Sequence, residues 1–225
     1  MDELISSGVF RVLKELDKVK VNRMLDVGCN NGDTSIKVAD FVKCNDLFGV
    51  DIDETAIQKA KEKNVKAFKV NLDSDRLPFP DGAFDLVIMT EVIEHLVNGD
   101  AALQEASRVL SANGYFLLTS PNLSWYVNRL VLLFGYQPYW TGCGKYNVGK
   151  FRRSINEDSS GHLRLFTARA LVELLELNGF RILKLKGASI SKANGIFRSI
   201  DKTIARLRWS LAQDVVVVAQ KNLPE

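Results

Sequence analysis

The sequence has few of the residues that build disulfide-rich, zinc-binding or disordered proteins. Its 225 residues include three cysteines and five prolines, and Cys29, Cys44 and Cys143 form no Cys-x-x-Cys pair. This pattern excludes a disulfide scaffold, a zinc ribbon and a dithiol redox motif. Hydrophobic residues make up 46% and charged residues 25% of the chain, which is typical of a folded globular domain and not of a disordered chain.

Long apolar runs are also missing. The longest ones, such as 131–134 and 215–219, fall far short of the roughly 20 residues that a membrane-spanning helix needs. The N-terminus is acidic and amphipathic, unlike a secretory signal peptide, so we expect a cytoplasmic protein. The net charge of +3 is too small to indicate a nucleic-acid partner. The length favours a single domain over residues 1–225.

Predicted strands and helices alternate along the chain. Amphipathic spacing predicts helices at 4–19, 34–42, 54–63, 101–110 and 167–178. The pair Asn113-Gly114 is the predicted stop signal after the fourth helix. Short apolar segments predict strands at 24–27, 47–50, 66–70, 84–90, 115–119, 180–185 and 214–220. Apolar strands separated by helices are typical of a parallel sheet that is covered on both faces. Such sheets bind ligands at the carboxyl ends of their strands.

A glycine-containing loop follows the first predicted strand. The segment 25–32 reads LDVGCNNG and opens a helix, and glycine in such a turn lets the backbone approach a ligand closely. A dinucleotide fingerprint would have glycines at positions 28, 30 and 33, whereas this chain has Gly28, Asn30 and Asp33. Asp33 would repel a pyrophosphate at the helix N-terminus. The loop therefore favours a nucleoside ligand without phosphates, the alternative being an ordinary strand–helix turn.

Acidic side chains follow the next two predicted strands. Asp51 stands 23 residues after Gly28, where a carboxylate can accept hydrogen bonds from ribose hydroxyls. Asp53 fits better as a helix cap, and Asp73 follows the third strand. Each acid alone is more often a solvated loop residue, but together, beside one glycine-containing loop, they predict a nucleoside site.

The motifs LDVGCNNG, GVDID and DSDRLPFPDGAFDLV resemble those of class I S-adenosylmethionine-dependent methyltransferases, of the kind grouped as types 11 and 23. The resemblance covers residues 20–120 and implies an α/β, three-layer Rossmann-like sandwich. Its mostly parallel, seven-stranded sheet would have the order 3-2-1-4-5-7-6, with an antiparallel last strand and helices on both faces.

The same resemblance implies S-adenosylmethionine as cofactor and gives roles to individual residues. Asp26, Gly28 and Gly32 would hold the methionine part, Asp51 the ribose, and Asp73 and Ser74 the adenine. The other implied cofactor positions are Cys29, Asn30, Ile52 and Thr90. Asn30 stands where the family usually has a glycine, and asparagine tolerates unusual backbone angles better than most residues.

Candidate catalytic residues follow the fourth predicted strand in the segment 90–96, TEVIEHL. If this segment is helical, Glu91, Glu94 and His95 share one face. His95 could be a base oriented by a glutamate, or it could only line the acceptor pocket. A third interpretation adds His162 and a divalent metal that activates the acceptor. It rests on a resemblance of E-x-x-E-H with a later histidine to metal-dependent 3′-end methyltransferases of small RNAs and to ubiquinone-pathway O-methyltransferases.

Two segments depart from the predicted core. The segment 121–165 is rich in aromatic residues, which predicts an acceptor lid or, alternatively, a satellite core. The stretch 125–146 alone holds Trp125, Tyr126, Phe134, Tyr136, Tyr139, Trp140 and Tyr146. The segment 121–165 also carries basic residues that could meet an acidic group of the acceptor, namely Lys145, Lys150, Arg152, Arg153 and Arg164.

The second segment, 189–212, predicts a basic amphipathic helix. Ile196, Phe197, Ile200, Ile204 and Leu207 fit one helical face, and Arg198, Lys202 and Arg206 form a row on the other side. Such a helix covers a sheet, lies on an anionic membrane surface or holds RNA phosphates. Residues 181–208 hold eight basic side chains and one acidic side chain, Asp201.

The sequence therefore predicts a methyltransferase that methylates an oxygen of a small, lipid-like or glycan-linked acceptor. A metal-dependent 2′-O-methyltransferase of RNA 3′ ends is the alternative enzyme, although no separate RNA-binding domain is visible. A non-catalytic scaffold with a cofactor fold is the alternative from another class, and an NAD oxidoreductase is disfavoured by Asn30 and Asp33. The expected partners are the small acceptor and a membrane surface, and the oligomeric state is left open.

Overall fold

The computed structural model of the protein describes residues 9–14, 19–141, 148–151, 161–189 and 196–222, with the backbone alone given for 196–198. The predicted leading helix is helical at 9–13, and its remaining masked positions lie outside the described residues. The same holds for Cys143, Lys145, Tyr146, Arg152 and Arg153. Within the described part of the chain, no helix is long and apolar enough to cross a membrane.

Seven strands form one sheet. They are β1 (Arg23–Val27), β2 (Asp46–Asp51), β3 (Lys66–Lys69), β4 (Phe84–Thr90), β5 (Leu110–Pro121), β6 (Phe180–Ala188) and β7 (Asp214–Lys221). Their order is β3-β2-β1-β4-β5-β7-β6. The first five strands pair in parallel, while β7 is antiparallel to both β5 and β6. The predicted fold, strand order and antiparallel last strand are confirmed.

Helices cover both faces of this sheet. They are α1 (Asp33–Val42), α2 (Glu54–Glu62), α3 (Gly99–Val109), α4 (Tyr126–Leu133), α5 (Ala168–Leu177) and α6 (Ile196–Leu207), with single 3-10 turns at Ile93–His95 and Trp209–Leu211. Along β4, Leu86 and Ile88 belong to one buried cluster, whereas Val87 and Met89 belong to the other. Because neighbouring strand residues point to opposite faces, both faces of the sheet are buried.

The boundary between α3 and β5 differs from the prediction. The helix ends at Val109, one residue before the predicted end, and Asn113-Gly114 is not its stop signal, because β5 already begins at the fully buried Leu110. Phe84 pairs with Leu110, but Leu86 pairs with Tyr115. The Asn-Gly pair therefore lies in an irregularity within β5 and not at a helix end.

The two segments that depart from the core, 121–165 and 189–212, both begin at the carboxyl edge of the sheet. Since β7 is antiparallel to β5, its first residue, Asp214, pairs with Pro121, the last residue of β5. The two departures also contact each other, because the Ser124 hydroxyl donates to the carbonyl of Ser210 at 2.9 Å. The indole Nε1 of Trp125 donates to Asp201 Oδ1 at 3.1 Å. They flank the edge at which parallel sheets of this kind bind ligands.

Candidate active site

A cavity of about 510 Å³ lies at the carboxyl edge of the sheet, within the size range of small-molecule sites. All predicted cofactor residues line it except Gly32 and Ser74. Glu91 and His95 line it as well, whereas Glu94 and His162 do not. The other lining residues carry no predicted cofactor role, and they are Asn31, Asp33, Thr34, Val70, Asn71, Leu72, Val92 and Leu96. The only feature of the sequence that could have indicated these residues is their position shortly after the ends of strands.

The loop after β1 needs glycine at position 28. Gly28 has a φ of +80°, and a Cβ there would lie 2.3 Å from Cγ2 of Val92. The backbone N–H groups of Gly28 and Cys29 donate to the carbonyl of Val50 at 2.8 and 3.0 Å, which ties the loop to β2. Asn30 has a φ of 47°, a left-handed conformation that asparagine adopts more readily than most residues.

Two of the predicted cofactor residues, Gly32 and Ser74, contact other parts of the protein and do not line the cavity. A Cβ on Gly32 would lie 2.9 Å from Cγ2 of Val65, so glycine allows close packing there. The Ser74 hydroxyl donates to Asp75 Oδ1 at 2.9 Å. The adenine contact of Ser74 and the methionine contact of Gly32 stay predictions, and neither residue reaches the cavity wall in this structure.

Asp51 is held in place by the backbone around it. The N–H of Asn30 donates to Asp51 Oδ2 at 2.7 Å, and the N–H of Asp53 donates to Oδ1 at 3.0 Å. Asp53 itself caps α2 as predicted, because its carboxylate accepts from the N–H groups of Thr55 and Ala56. Asp51 therefore presents a fixed carboxylate to the cavity, as ribose recognition requires.

Asp26 is the most deeply buried carboxylate of the cavity wall. The Ser35 hydroxyl donates to its Oδ2, but Oδ1 has no hydrogen-bond partner among the described residues. Burial raises the pKa of Asp26 to about 7, an effect that the Ser35 hydrogen bond opposes and the Asp51 charge reinforces. A buried carboxylate oxygen without a partner fits a cationic ligand group. The ammonium of S-adenosylmethionine is such a group, so these residues fit that cofactor.

Asp73 and Cys29 complete the wall in different ways. Asp73 Oδ1 accepts from the N–H groups of Val97 and Asn98 at 2.8 and 3.0 Å, so it ties the loop after β3 to the start of α3. Burial raises the pKa of Cys29 to about 12, and its thiol stays protonated. Ile52 adds an apolar side chain that is 60% exposed.

The segment after β4 is not the helix that the spacing predicted. Only Ile93–His95 forms a 3-10 turn, and Glu91 has a left-handed φ of 56°. Its N–H donates to the carbonyl of Thr119 at 3.1 Å, and its carboxylate accepts from the Thr119 hydroxyl at 2.8 Å. These contacts draw Glu91 to β5. The predicted shared helical face of Glu91, Glu94 and His95 is therefore wrong.

The two histidines face each other, with ring centroids 4.6 Å apart. Nδ1 of His95 lies 3.2 Å from the carbonyl of Gly161, and Nδ1 of His162 lies 3.2 Å from the carbonyl of Trp140. Because a carbonyl only accepts, each Nδ1 carries the hydrogen and each Nε2 is left unprotonated in the neutral ring. The base interpretation supposed that a glutamate orients His95. In the structure the Gly161 carbonyl orients it instead. Burial lowers the pKa of His162 to about 4.

The metal interpretation keeps three of its four residues. Ligand atoms of Glu94, His95 and His162 lie within 4.8 Å of one another. Glu91 is not part of this group because Thr119 holds its carboxylate. An ion bound at about 2.1 Å to each atom would bring the atoms to roughly 3.4 Å from one another.

Three buried acids, Glu91, Glu94 and Asp214, interact electrostatically with one another next to this site, and one of them was missed from the sequence. The Ser120 hydroxyl donates to Glu94 Oε2 at 3.1 Å. Burial raises the pKa of Glu91 to about 7, and burial and the Glu91 charge raise that of Glu94 to about 8. Asp214 is 3% exposed, and burial raises its pKa well above the usual value. Its only sequence signal is a charge directly before the apolar run 215–219. These acids hold protons near neutral pH.

The aromatic residues of segment 121–165 pack mainly on each other. The rings of Trp125, Tyr126, Tyr139 and Trp140 have centroids 5.3 to 6.3 Å apart. None of the described aromatic residues of this segment lines the cavity. The predicted basic contact Lys150 holds the segment together, because its ammonium donates to the carbonyl of Thr141 at 2.8 Å. This arrangement corresponds to the satellite core, joined to His162 through the Trp140 carbonyl.

The chain is similar to known methyltransferases. The family model described as a methyltransferase domain matches residues 1–185. An uncharacterized methyltransferase of Schizosaccharomyces pombe is 36% identical over 107 residues, which are 43% of this chain and 38% of the relative. The 27-O-demethylrifamycin SV methyltransferase of Amycolatopsis mediterranei is 33% identical over 109 residues, again 43% of this chain and 38% of the relative. The chain spans less than half the length of these relatives.

Solved structures share the fold. A S-adenosylmethionine-dependent methyltransferase of Methanosarcina mazei superposes with a TM-score of 0.64 at 20% identity, over 94% of this chain and 98% of the other. The family model covers most of the chain, and the strand order and cavity agree with it. The chain therefore belongs to the class I S-adenosylmethionine-dependent methyltransferases.

Proposed function

We propose that the protein methylates an oxygen atom of a small, lipid-like or glycan-linked acceptor. The observation that carries this proposal is the cavity that combines Asp26, with its unpartnered oxygen, the fixed carboxylate of Asp51, and the ring of His95. Acidic groups that suit a cationic nucleoside thus lie beside a residue that can accept a proton.

The cofactor would be held by the residues of the cavity wall. Asp26 would accept hydrogen bonds from the ammonium group, Asp51 from the ribose hydroxyls, and Asp73 from the adenine amino group, while Ile52 would cover the base. When bound, S-adenosylmethionine would supply a sulfonium methyl group that an acceptor oxygen can take, while the C–S electron pair leaves with the thioether sulfur of S-adenosylhomocysteine.

His95 would remove the acceptor proton. The Gly161 carbonyl fixes Nδ1–H of His95, which leaves Nε2 as the accepting atom. The pKa of His162 is low, so this second ring stays neutral and does not repel a proton on His95. Alignment and water exclusion supply most of the help that methyl transfer needs.

Oxygen as the acceptor atom is supported by the relative from Amycolatopsis, whose name refers to an O-demethylated compound. A divalent ion held by Glu94, His95 and His162 is the second candidate, and the clustering of their ligand atoms favours it. Such an ion would lower the pKa of the acceptor hydroxyl.

The test is a methyl-transfer assay with a panel of phenols, hydroxylated isoprenoids and glycolipids, read as release of S-adenosylhomocysteine. We expect turnover of a hydroxylated acceptor, and His95→Gln should lower kcat about 100-fold or more while it leaves the affinity for S-adenosylhomocysteine unchanged. Activity that survives a chelator and His162→Gln would support the base. Activity that both treatments abolish would support the ion. Full activity of His95→Gln would contradict both mechanisms.

A further inference from the structure

We propose that the two segments at the carboxyl edge dock the protein on the surface of an anionic lipid bilayer. The supporting observation is an exposed apolar stripe on α6 in a segment that also carries exposed basic side chains. Ile200 is 43% and Leu207 is 78% exposed, and Trp209, directly after the helix, is 38% exposed. Ile200 and Leu207 lie seven residues apart, so they share one side of the helix.

This stripe is exposed because α6 buries a different face. Asp201 and Ala205 are 3% and 5% exposed, and Asp201 accepts hydrogen bonds from the side chains of Trp125 and Ser189. A Cβ on Gly187 of β6 would lie 2.8 Å from the carbonyl of Ala205, so the helix packs closely on the sheet along this line. The helix therefore covers the sheet, which is one of the predicted alternatives, but it does so along the line of Asp201 and Ala205, and the apolar side chains of Ile200 and Leu207 stay exposed.

The charge of this segment selects the kind of partner, and two of its basic residues, Arg206 and Arg208, flank Leu207 along the chain. Lys202, Arg206 and Arg208 are all exposed, and each basic side chain near an anionic bilayer strengthens binding roughly fivefold. A second copy of this chain would bring the same basic groups against each other. A bilayer surface accepts the apolar side chains and pairs the basic ones with lipid phosphates.

A second exposed apolar patch lies on the neighbouring segment. Leu132, Leu133 and Phe134, at the end of α4, are 59%, 77% and 74% exposed. The start of α4 contacts α6 through Trp125 and Asp201. Both patches thus belong to the two segments that flank the ligand edge of the sheet. Docking there would hold the cavity near the membrane, from which a lipid-like acceptor would come; only this last step rests on the proposed function.

The test is co-sedimentation of the full chain with vesicles of phosphatidylcholine, alone or mixed with phosphatidylglycerol. We expect binding to the mixed vesicles that weakens as salt is raised. Ile200→Ser combined with Leu207→Ser should lower the partition coefficient about tenfold or more. Lys202→Gln, Arg206→Gln and Arg208→Gln together should lower it about 100-fold at low salt.

Matched controls lie at other places on the surface. Leu177, at the end of α5, is 86% exposed and precedes the start of β6, at the opposite edge of the sheet. Leu177→Ser, and the pair Lys59→Gln and Lys61→Gln on α2, should leave vesicle binding unchanged. Each variant should keep its affinity for S-adenosylhomocysteine, which shows that it is folded.

Three results would overturn the proposal. The first is that the native protein does not sediment with anionic vesicles. The second is that the control variants lose as much vesicle binding as the test variants. The third is that the native protein is a dimer in solution and that Ile200→Ser combined with Leu207→Ser dissociates it. The proposed function fails separately: loss of cofactor affinity or of methyl transfer, with vesicle binding intact, would refute the enzyme assignment and leave the docking surface standing.

Discussion

Replacing Asp26 with asparagine should stabilise the protein and weaken its cofactor binding at the same time. Asparagine keeps the shape and can still accept the Ser35 hydrogen bond, but it removes the buried charge. The pKa of Asp26 is raised from 3.8 to about 7. At roughly 1.4 kcal/mol for each pKa unit, the ionised carboxylate lowers the free energy of unfolding by about 4 kcal/mol at and above neutral pH.

Because the pKa of Asp26 is raised in the folded protein, the effect of this residue on stability depends on pH. The folded protein keeps the Asp26 proton up to a higher pH than the unfolded chain does. The contribution of Asp26 to stability is therefore fully present below about pH 4 and is lost as the pH rises through about 7. Urea unfolding between pH 4 and 9 should show that Asp26→Asn gains stability over the native protein as the pH rises, with a constant gain above about pH 8.

The same variant should bind S-adenosylhomocysteine about 10- to 100-fold more weakly, because the ligand ammonium loses its charged acceptor. Calorimetry at pH 8 measures this loss, and Ser35→Ala is the control that keeps the carboxylate. A variant that is less stable than the native protein at every pH, or that binds with unchanged affinity, would refute the role of Asp26.

Three further changes test the cavity. Gly28→Ala should lower the cofactor affinity, and it should lower the free energy of unfolding by about 2–4 kcal/mol, because the new Cβ would collide with Val92. Calorimetry and thermal unfolding measure the two losses, and native values would contradict this prediction. Affinity of the native protein for S-adenosylhomocysteine should rise between pH 6 and 8 as Asp26 ionises, and a flat profile would count against that ionisation. Asn30→Ala should weaken binding less than Gly28→Ala does, because it retains the backbone N–H that donates to Asp51, and calorimetry again decides.

Much of the cofactor side of the site was predictable from the sequence. The strands β1, β2 and β4 are short apolar runs, and the residues that follow them necessarily meet at one edge of a parallel sheet. The structure places Asp26, Gly28 and Asp51 together on the wall of one cavity, and their contacts with the cofactor stay predictions. The order of all seven strands came only from the family resemblance, since nothing local determines it.

The acceptor side was less predictable because contacts between distant segments decide it. Glu91 leaves the helical pattern because Thr119, on another strand, holds both its backbone and its carboxylate. His95 is oriented by the carbonyl of Gly161, 66 residues along the chain. Asp214 meets the buried acids only because β7 inserts next to β5. Periodicity describes one element at a time and does not contain these pairings.

The central claim is that the cavity binds S-adenosylmethionine through the acids at the strand ends. Calorimetric titration of S-adenosylhomocysteine into the native protein, Asp51→Ala and the adjacent control Asp53→Ala tests it most directly. We predict binding to the native protein, loss of most of the affinity in Asp51→Ala, and near-native affinity in Asp53→Ala, whose side chain only caps α2. Absence of binding to the native protein, or equal affinity of Asp51→Ala and the native protein, would contradict the claim.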